Sequence, residues 1–280
     1  MTMTMATNSE TALPVAPDPR RLVDLARYPI DRLEDAAGAA LLADGRARIT
    51  QKGVMALPGF LMQAAVAAMR DEALALAPKA HPGEKRHNVY LIDRDPRYRD
   101  EHPRNRVQST QVSTVADDLI PRDSRLRALY DWPPLRSFLA AVLEKPALHP
   151  YADPLASLNV TIGRPGEQLG WHFDNADFAT TLMLQDAESG GQFEYCPGVR
   201  APADQGYAAV ERILAGTYDD VRRLPMAPGT LVLFRGRYAL HRVTPIDGHR
   251  PRLMAVLSYD TEPGITLSEP TRMTFYGRVR

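Results

Sequence analysis

The chain has 280 residues, 44% of them hydrophobic and 24% charged, so it is long enough to bury a sizeable core. Its 34 basic and 34 acidic residues balance, which leaves no field to attract a polyanion and argues against a nucleic-acid partner. A lone cysteine excludes an intramolecular disulfide framework, and no apolar run is long enough for a membrane helix. These features predict a cytoplasmic protein that acts on a small molecule.

The N-terminal residues, 1–20, are rich in Thr, Ala and Pro. They lack the basic start and the apolar block of a secretory signal, so we expect a disordered arm. The remainder, 21–280, is predicted to be a single domain.

Helical patterns occupy much of the chain from residue 21 to residue 150. Residues 21–33 carry periodic apolar positions interrupted by Pro29, and residues 60–76 show a stronger helical pattern. Residues 124–143 begin with Ser124, which can cap a helix, and are broken by two prolines, which predicts two helices meeting at Trp132. We expect these helices to buttress the rest of the domain.

A charged segment, residues 85–106, mixes seven Lys and Arg with four Asp and Glu and two tyrosines. A solvated loop of balanced charge is the simpler interpretation. Long loops in compact enzymes often cover active sites, however, so we also consider a lid that binds a polar, charged small molecule. In that hypothesis Arg104 or Arg106 binds the substrate carboxylate.

Short β-forming stretches dominate residues 151–260. Residues 158–162, 178–184, 229–234 and 252–260 are each bounded by turn signals at Gly, Pro or Asp. Strands of this length, separated by turns roughly every eight to twelve residues, are typical of a sandwich or barrel. We therefore predict a jelly-roll core over 151–260, followed by a C-terminal extension over 261–280.

Two motifs within this core carry candidate metal ligands: His172-Phe173-Asp174, and His241 within a later strand. Two imidazoles and one carboxylate hold a non-heme Fe(II) on one face and leave the other open for chemistry. His172 and Asp174 can face one ion because residues two apart on a strand lie on the same side. The remaining histidines are interpreted as structural or surface residues: His81, His87, His102, His149 and His249.

These motifs, in this order, resemble those of Fe(II)- and 2-oxoglutarate-dependent oxygenases built on a double-stranded β-helix. The resemblance covers about 110 residues, and its elements are His172-x-Asp174, the strands Gly190 to Glu194 and Gly229 to Phe234, His241 to Pro245, and a downstream arginine. It implies a mainly β fold with helical decoration, in which N-terminal helices buttress a jelly-roll core. It also implies Fe(II), 2-oxoglutarate and O2 as cofactors and co-substrates, with ascorbate as reductant in vitro.

In the family resembled, an arginine binds the far carboxylate of 2-oxoglutarate. We favour Arg252 over Arg250, because Arg252 opens the last strand whereas Arg250 precedes a proline in a turn. The chain departs from many family members at Met254, where they carry a hydroxyl residue. Another donor must therefore complete the pocket, and the candidates are Thr161, Asn159 and Thr181.

A narrower resemblance links four segments to a bacterial subgroup that hydroxylates or halogenates free amino acids, lysine among them. These segments are His102 to Arg106, Trp171 to Asp174, Cys196 to Arg200 and Val256 to Asp260. A halogenase of this kind replaces the ligand carboxylate with Gly or Ala to admit halide, whereas Asp174 fills that position here. The resemblance therefore implies hydroxylation of a lysine-like amino acid as the default reaction, while desaturation or ring closure would start from the same oxidant.

Two alternatives remain open. An oxygenase acting on a peptide, a nucleoside or another natural-product intermediate would share all of this chemistry. A non-oxygenase metal-binding cupin would share the barrel but would not need an arginine for a co-substrate carboxylate.

Overall fold

The computed structural model describes residues 17–280, and two antiparallel sheets form its centre. The helices are α1 (Ala36–Lys52), α2 (Gln63–Leu76), α3 (Arg125–Tyr130), α4 (Pro133–Val142), α5 (Tyr207–Leu214) and α6 (Glu269–Tyr276). The strands are β1 (Val54–Leu57), β2 (His81–His87), β3 (Gln108–Val115), β4 (His149–Pro150), β5 (Leu158–Gly163), β6 (Leu169–His172), β7 (Ala179–Gln185), β8 (Ser189–Gly190), β9 (Phe193–Cys196), β10 (Arg222–Leu224), β11 (Leu231–Phe234), β12 (Leu240–Val243), β13 (Ile246–Asp247), β14 (Arg252–Leu257) and β15 (Tyr259–Asp260).

The major sheet has the strand order β1-β11-β7-β14-β5-β3-β2, and the minor sheet has the order β10-β9-β12-β6. Two short pairs, β13 with β8 and β15 with β4, complete the sheet structure within residues 17–280. The facing sheets confirm the predicted jelly-roll fold class. The major sheet extends beyond the predicted core of 151–260, because β1, β2 and β3 precede residue 151.

The two faces of the major sheet have different surroundings. On β14, Leu253 and Ala255 point into the main hydrophobic core beneath the helices, while Arg252, Met254 and Val256 line a cavity on the opposite face. This alternation follows from the two-residue period of a strand. Burial of each large apolar side chain on the helical side contributes roughly 1.5–3 kcal/mol.

The helices packed on this core largely confirm the predictions. Helix α2 begins three residues later than predicted. Helices α3 and α4 meet at Trp132, and the Ser124 hydroxyl accepts a hydrogen bond from the Arg127 backbone N–H at 3.1 Å. Pro133 opens α4, where its missing N–H is not needed.

The helix predicted over residues 21–33 is wrong. This stretch forms turns and one β-bridge between Val23 and Leu61, and Pro29 interrupts any helical hydrogen bonding there. A 3-10 turn at Pro19–Arg21 shows that ordered chain begins inside the predicted arm, of which residues 1–16 lie outside the described residues.

Helix α1 lies instead over Ala36–Lys52 and was not predicted. It buries Gly38, Gly45 and Ile49, so its sequence lacks the apolar stripe by which amphipathic helices are recognised. Gly53 ends the helix in the left-handed conformation (φ 67°), a stop signal that the sequence does contain.

The outer face of the minor sheet is covered by loops and by α5. Its buried cluster includes Trp171, Phe173 and Leu240 from the sheet, with Val210 and Ile213 from α5. These residues alternate along their strands with side chains that face the cavity between the sheets.

The C-terminal extension closes over the major sheet. Helix α6 lies against β2 and β3, so close that a side chain at Gly83 would meet the carbonyl of Thr274. Buried Asp153 ties this segment down, because it accepts hydrogen bonds from the Leu267 backbone N–H (2.8 Å) and from Arg272 Nε (2.9 Å). Across residues 17–280, no helix combines the length and the apolar character needed to span a membrane.

Candidate active site

His172, Asp174 and His241 converge at one point between the sheets. His172 ends β6 and pairs in register with His241 on β12, while Asp174 follows two residues after His172. The Nε2 atoms of both histidines lie 3.5 Å from Asp174 Oδ1. The three prospective ligand atoms all lie within 4.8 Å of one another, which a single metal ion can bridge.

Each histidine ring is oriented by the backbone carbonyl of the residue two positions before it. His172 Nδ1 lies 2.8 Å from the Gly170 carbonyl oxygen, and His241 Nδ1 lies 2.9 Å from the Ala239 carbonyl oxygen. A carbonyl accepts only, so each Nδ1 carries the proton and each Nε2 presents its lone pair to the centre. This second contact is the usual way in which metal-binding histidines are held.

Asp174 is held against Gly236. The Asp174 backbone N–H donates to the Gly236 carbonyl at 3.1 Å, and a Cβ at position 236 would overlap Asp174 Oδ2. Burial alone raises the pKa of the Asp174 carboxyl, but His241 and His172 outweigh it and hold that pKa well below its usual range. The carboxylate is therefore ionised and available as a ligand.

A stack of aromatic rings supports the ligands from behind. Phe173 lies between His172 and Asp174 in the chain. It is fully buried and stacks on Tyr90, with 5.4 Å between the ring centroids. The Arg200 guanidinium lies 5.4 Å from the Phe173 centroid and 5.6 Å from that of Tyr90. The Phe173 backbone N–H donates to the Val89 carbonyl at 2.7 Å. Part of the charged segment thus fixes the position of the ligand-bearing chain.

The three ligand candidates open onto a cavity of about 410 Å³. This volume is within the range of small-molecule sites. The polar residues on its wall that the sequence singled out are Asn159, Thr161, Thr181 and Arg252.

Arg252 is a buried cation without a partner. It opens β14, is 7% exposed, and its Nε makes no hydrogen bond; among residues 17–280 the guanidinium forms no ion pair. Burial lowers its pKa to about 10, with no nearby charge to compensate. A buried charge of this kind requires a counterion, and a guanidinium matches a carboxylate with two parallel hydrogen bonds.

Gly191 makes room for the Arg252 side chain, because a Cβ there would lie 3.2 Å from Arg252 Cδ, closer than most such contacts. By contrast, Arg250 is exposed and bound on the surface, where its Nε donates to the Asp186 carbonyl at 3.1 Å. The geometry therefore favours Arg252 over Arg250 as the residue that faces a ligand.

Thr161, Asn159 and Thr181 all line the cavity that Arg252 also lines. The Thr161 hydroxyl already donates to the Met254 carbonyl at 3.3 Å. Thr114, which pairs with Thr161 across β3 and β5, was missed by sequence reasoning, and its buried hydroxyl has no partner. Its strand was not predicted, so no signal in the sequence placed it here.

Arg104 and Arg106, the residues predicted to bind the substrate carboxylate, do not line the cavity. Arg104 Nη1 donates to the Asp93 carbonyl at 2.7 Å, which directs its guanidinium to its own loop. Lys85 does line the cavity, since it lies on β2 and not in a loop.

His87 also lines the cavity, although sequence reasoning treated it as structural. Its Nε2 lies 2.8 Å from Thr110 Oγ1 and its Nδ1 lies 2.9 Å from the Asn88 carbonyl. Burial lowers its pKa to about 4, and the charges of His172 and Lys85 contribute in the same direction. His87 is therefore neutral and hydrogen-bonded, which agrees with a structural residue in the wall of the site.

The donor set fits Fe(II), and the unpaired arginine fits a carboxylate co-substrate. Two imidazoles whose Nε2 atoms face an ionised carboxylate form the facial set typical of non-heme Fe(II) oxygenases. Arg252 in the same cavity is a cation of the kind that a carboxylate co-substrate requires. Fold and site together match the requirements of the Fe(II)/2-oxoglutarate oxygenase class.

The chain belongs to the Halogenase D family, whose model matches residues 38–273. No curated protein matches the sequence.

Several solved structures share the fold. The epimerase SnoN from nogalamycin biosynthesis, described as non-heme and α-ketoglutarate dependent, is 17% identical with a TM-score of 0.53, covering 79% of this chain and 83% of its own. AviO1 from Streptomyces viridochromogenes Tue57 is 18% identical with a TM-score of 0.53, and the alignment covers 78% of this chain and 93% of AviO1. A 2OG-Fe(II) oxygenase family protein from Burkholderia pseudomallei is 14% identical with a TM-score of 0.51, covering 80% and 92%. At these identities the likeness establishes the double-stranded β-helix fold.

Proposed function

We propose that the protein is an Fe(II)- and 2-oxoglutarate-dependent dioxygenase that hydroxylates a C–H bond of a small polar metabolite. The observation that carries this proposal is one cavity holding both the His172, Asp174 and His241 cluster and the unpartnered Arg252. A metal-binding cupin without a co-substrate would have no use for a buried guanidinium that lacks a counterion.

Asp174 favours hydroxylation over halogenation. A halide that binds the metal needs a coordination position, and here a carboxylate held against Gly236 occupies it. The family description mentions halogenation, so chloride transfer is the second candidate reaction.

The residues of the chain have separable roles in this reaction. His172, Asp174 and His241 would hold the iron, and Arg252, with Thr161, Asn159 and Thr181 on the same wall, would hold 2-oxoglutarate. When bound, iron and 2-oxoglutarate would activate O2, which is the oxidant for the C–H bond. The overall balance is substrate, O2 and 2-oxoglutarate to hydroxylated substrate, succinate and CO2.

A free amino acid is the first substrate class to test. A cavity of about 410 Å³ must hold both 2-oxoglutarate and substrate, which favours a small molecule over a folded partner. A preference for lysine-like amino acids is supported by the sequence resemblance alone.

The test is succinate formation by the pure protein with Fe(II), ascorbate and 2-oxoglutarate, across amino acids, short peptides and nucleosides. Mass spectrometry then identifies the product. We expect one substrate class to raise turnover above the uncoupled rate and to gain one oxygen atom. His241→Ala serves as the matched inactive variant.

Three results would change the proposal. Gain of chlorine in chloride buffer would make the protein a halogenase in spite of Asp174. Stimulation by peptides or nucleosides, but not by amino acids, would replace the substrate class. Absence of any 2-oxoglutarate turnover or binding would refute the oxygenase itself.

A further inference from the structure

Lys85 is a second cation on the cavity wall without a counterion. It lies half-buried on β2 with its side chain toward the cavity, and within residues 17–280 its ammonium forms neither a hydrogen bond nor an ion pair. Its neighbours Glu84 and Arg86 are exposed, because successive side chains on a strand point to opposite faces.

The charges of the cavity wall do not balance. In the described chain the wall carries two permanent cations, Lys85 and Arg252, and one carboxylate, Asp174. Asp174 lies between His172 and His241 and is a metal-ligand candidate. The proposed function uses Arg252 for 2-oxoglutarate, which leaves Lys85 to meet a different anion.

Lys85 lies within reach of the reaction centre for a small molecule. It precedes His87 by two residues on the same face of β2, a spacing of about 6.6 Å. The His87 ring lies 6.1 Å from the His172 ring. A molecule whose anionic end contacts Lys85 can therefore extend toward the metal ligands along one wall.

The rest of that wall suits a substrate whose side chain is uncharged. Apolar side chains that line the same cavity include Leu91, Val112 and Leu169. Neutral polar residues such as Tyr151 and Asn175 can meet an α-amino group. Within the described residues, no carboxylate besides Asp174 lines the cavity, so a side-chain ammonium would be buried without a partner.

We infer that Lys85 binds the carboxylate of the substrate, and that the substrate is a small carboxylic or amino acid whose side chain carries no positive charge. This inference rests on the proposed function and narrows its substrate class. It replaces lysine with neutral amino acids and simple carboxylic acids.

The test compares three probes by anaerobic calorimetry with Fe(II) and 2-oxoglutarate present. L-Norleucine has a lysine-length side chain without the ammonium, L-lysine adds the ammonium, and L-norleucinamide removes the carboxylate. We expect norleucine to bind at least about tenfold more tightly than either of the others, because only it satisfies both requirements.

Variants on β2 provide the second part of the test. Lys85→Met should weaken norleucine binding roughly tenfold to hundredfold, since it removes one partner of a charge-assisted contact. Lys85→Arg should restore most of the affinity. Arg86→Met, which removes a cation from the next position but from the opposite face, should leave the affinity unchanged. Thermal melts check that each variant folds.

Several outcomes would overturn the inference. One is a wild-type protein that binds lysine or the amide as tightly as norleucine, or that binds no probe. Another is a Lys85→Met variant that keeps the wild-type affinity for norleucine, as Arg86→Met is expected to do. A third is a Lys85→Met variant that loses affinity for 2-oxoglutarate and not for norleucine. Failure of the proposed function is distinguishable, because it appears as absence of 2-oxoglutarate binding and succinate formation while norleucine binding still reports on Lys85.

Discussion

The two polar centres of the cavity differ in how completely the protein satisfies them. In the His172, Asp174 and His241 cluster, each imidazole has a backbone acceptor and each faces the carboxylate. Arg252 is as deeply buried, yet its Nε has no partner and burial lowers its pKa to about 10. One centre is organised by the chain itself, whereas the other requires an anion to complete it.

This difference separates preorganisation from ligand dependence. The metal cluster is held by backbone contacts and by the Phe173 and Tyr90 stack, so its geometry does not depend on a co-substrate. Burial of the Arg252 guanidinium costs free energy, and no ion pair offsets that cost until a carboxylate binds. We therefore expect 2-oxoglutarate to stabilise the fold through Arg252, and variants of the two centres to fail in different assays.

The largest effect is expected at the metal ligands. Replacing His172 or His241 by Ala should abolish Fe(II) binding or nearly so, because two remaining donors do not form the facial set. Metal content after anaerobic reconstitution measures this. Full metal content in both single variants would refute the assignment.

Arg252→Ala should have the next largest effect, and on the co-substrate alone. Loss of one partner from a buried charge-assisted pair typically costs about 3–5 kcal/mol, so the 2-oxoglutarate requirement should rise roughly a hundredfold or more. Fe(II) content should be unaffected. Arg250→Ala, on the surface, is the matched control, and a reversed result for the two variants would show that Arg250 is the binding residue.

Gly236→Ala tests how the metal-ligand cluster depends on the packing of Asp174. The added Cβ would overlap Asp174 Oδ2, so the variant should lower both the melting temperature and the Fe(II) affinity. In an Asp174→Ala background the overlap with the carboxylate disappears and only the Cβ contact at 2.9 Å remains, so the same substitution should cost less stability. A double-mutant cycle measured by thermal unfolding reports this coupling. Equal cost in both backgrounds would show that Gly236 is needed for another reason.

The smallest effect is expected at Arg104 and Arg106. Because neither lines the cavity, their Ala variants should change stability by within about 0.5 kcal/mol and leave substrate affinity unchanged. Substrate titration of each variant measures this. A large rise in the substrate KM would restore the charged segment as a binding lid.

The sequence carried enough local signal for most of the core. Strands β5, β7, β11 and β14 were predictable because β-forming residues are bounded there by Gly, Pro and Asp turns. The order of the histidine and aspartate motifs indicated the cluster before any contact was known. Strands β2 and β3 were missed because β2 contains Pro82, Gly83 and several charges, a composition that resembles a loop.

Other features depend on contacts between residues far apart in the chain. Gly236 beside Asp174 and Thr114 beside Thr161 become neighbours only through sheet pairing or loop packing. Likewise, the charged segment resembles a lid in sequence, but it packs through Tyr90 on Phe173 behind the metal ligands. Its composition reports charge and not the direction in which each side chain points.

By itself, the sequence determined the jelly-roll core and the identity of the metal-ligand candidates, because strand periodicity and ligand chemistry are local properties of the chain. It also favoured Arg252 over Arg250 from the start of one strand. Tertiary structure decided which cations face the cavity, and it selected Arg252 and Lys85 while placing Arg104 and Arg106 elsewhere. The physical reason is that burial and charge pairing depend on sheet register and on the packing of α6, which no short stretch of residues encodes.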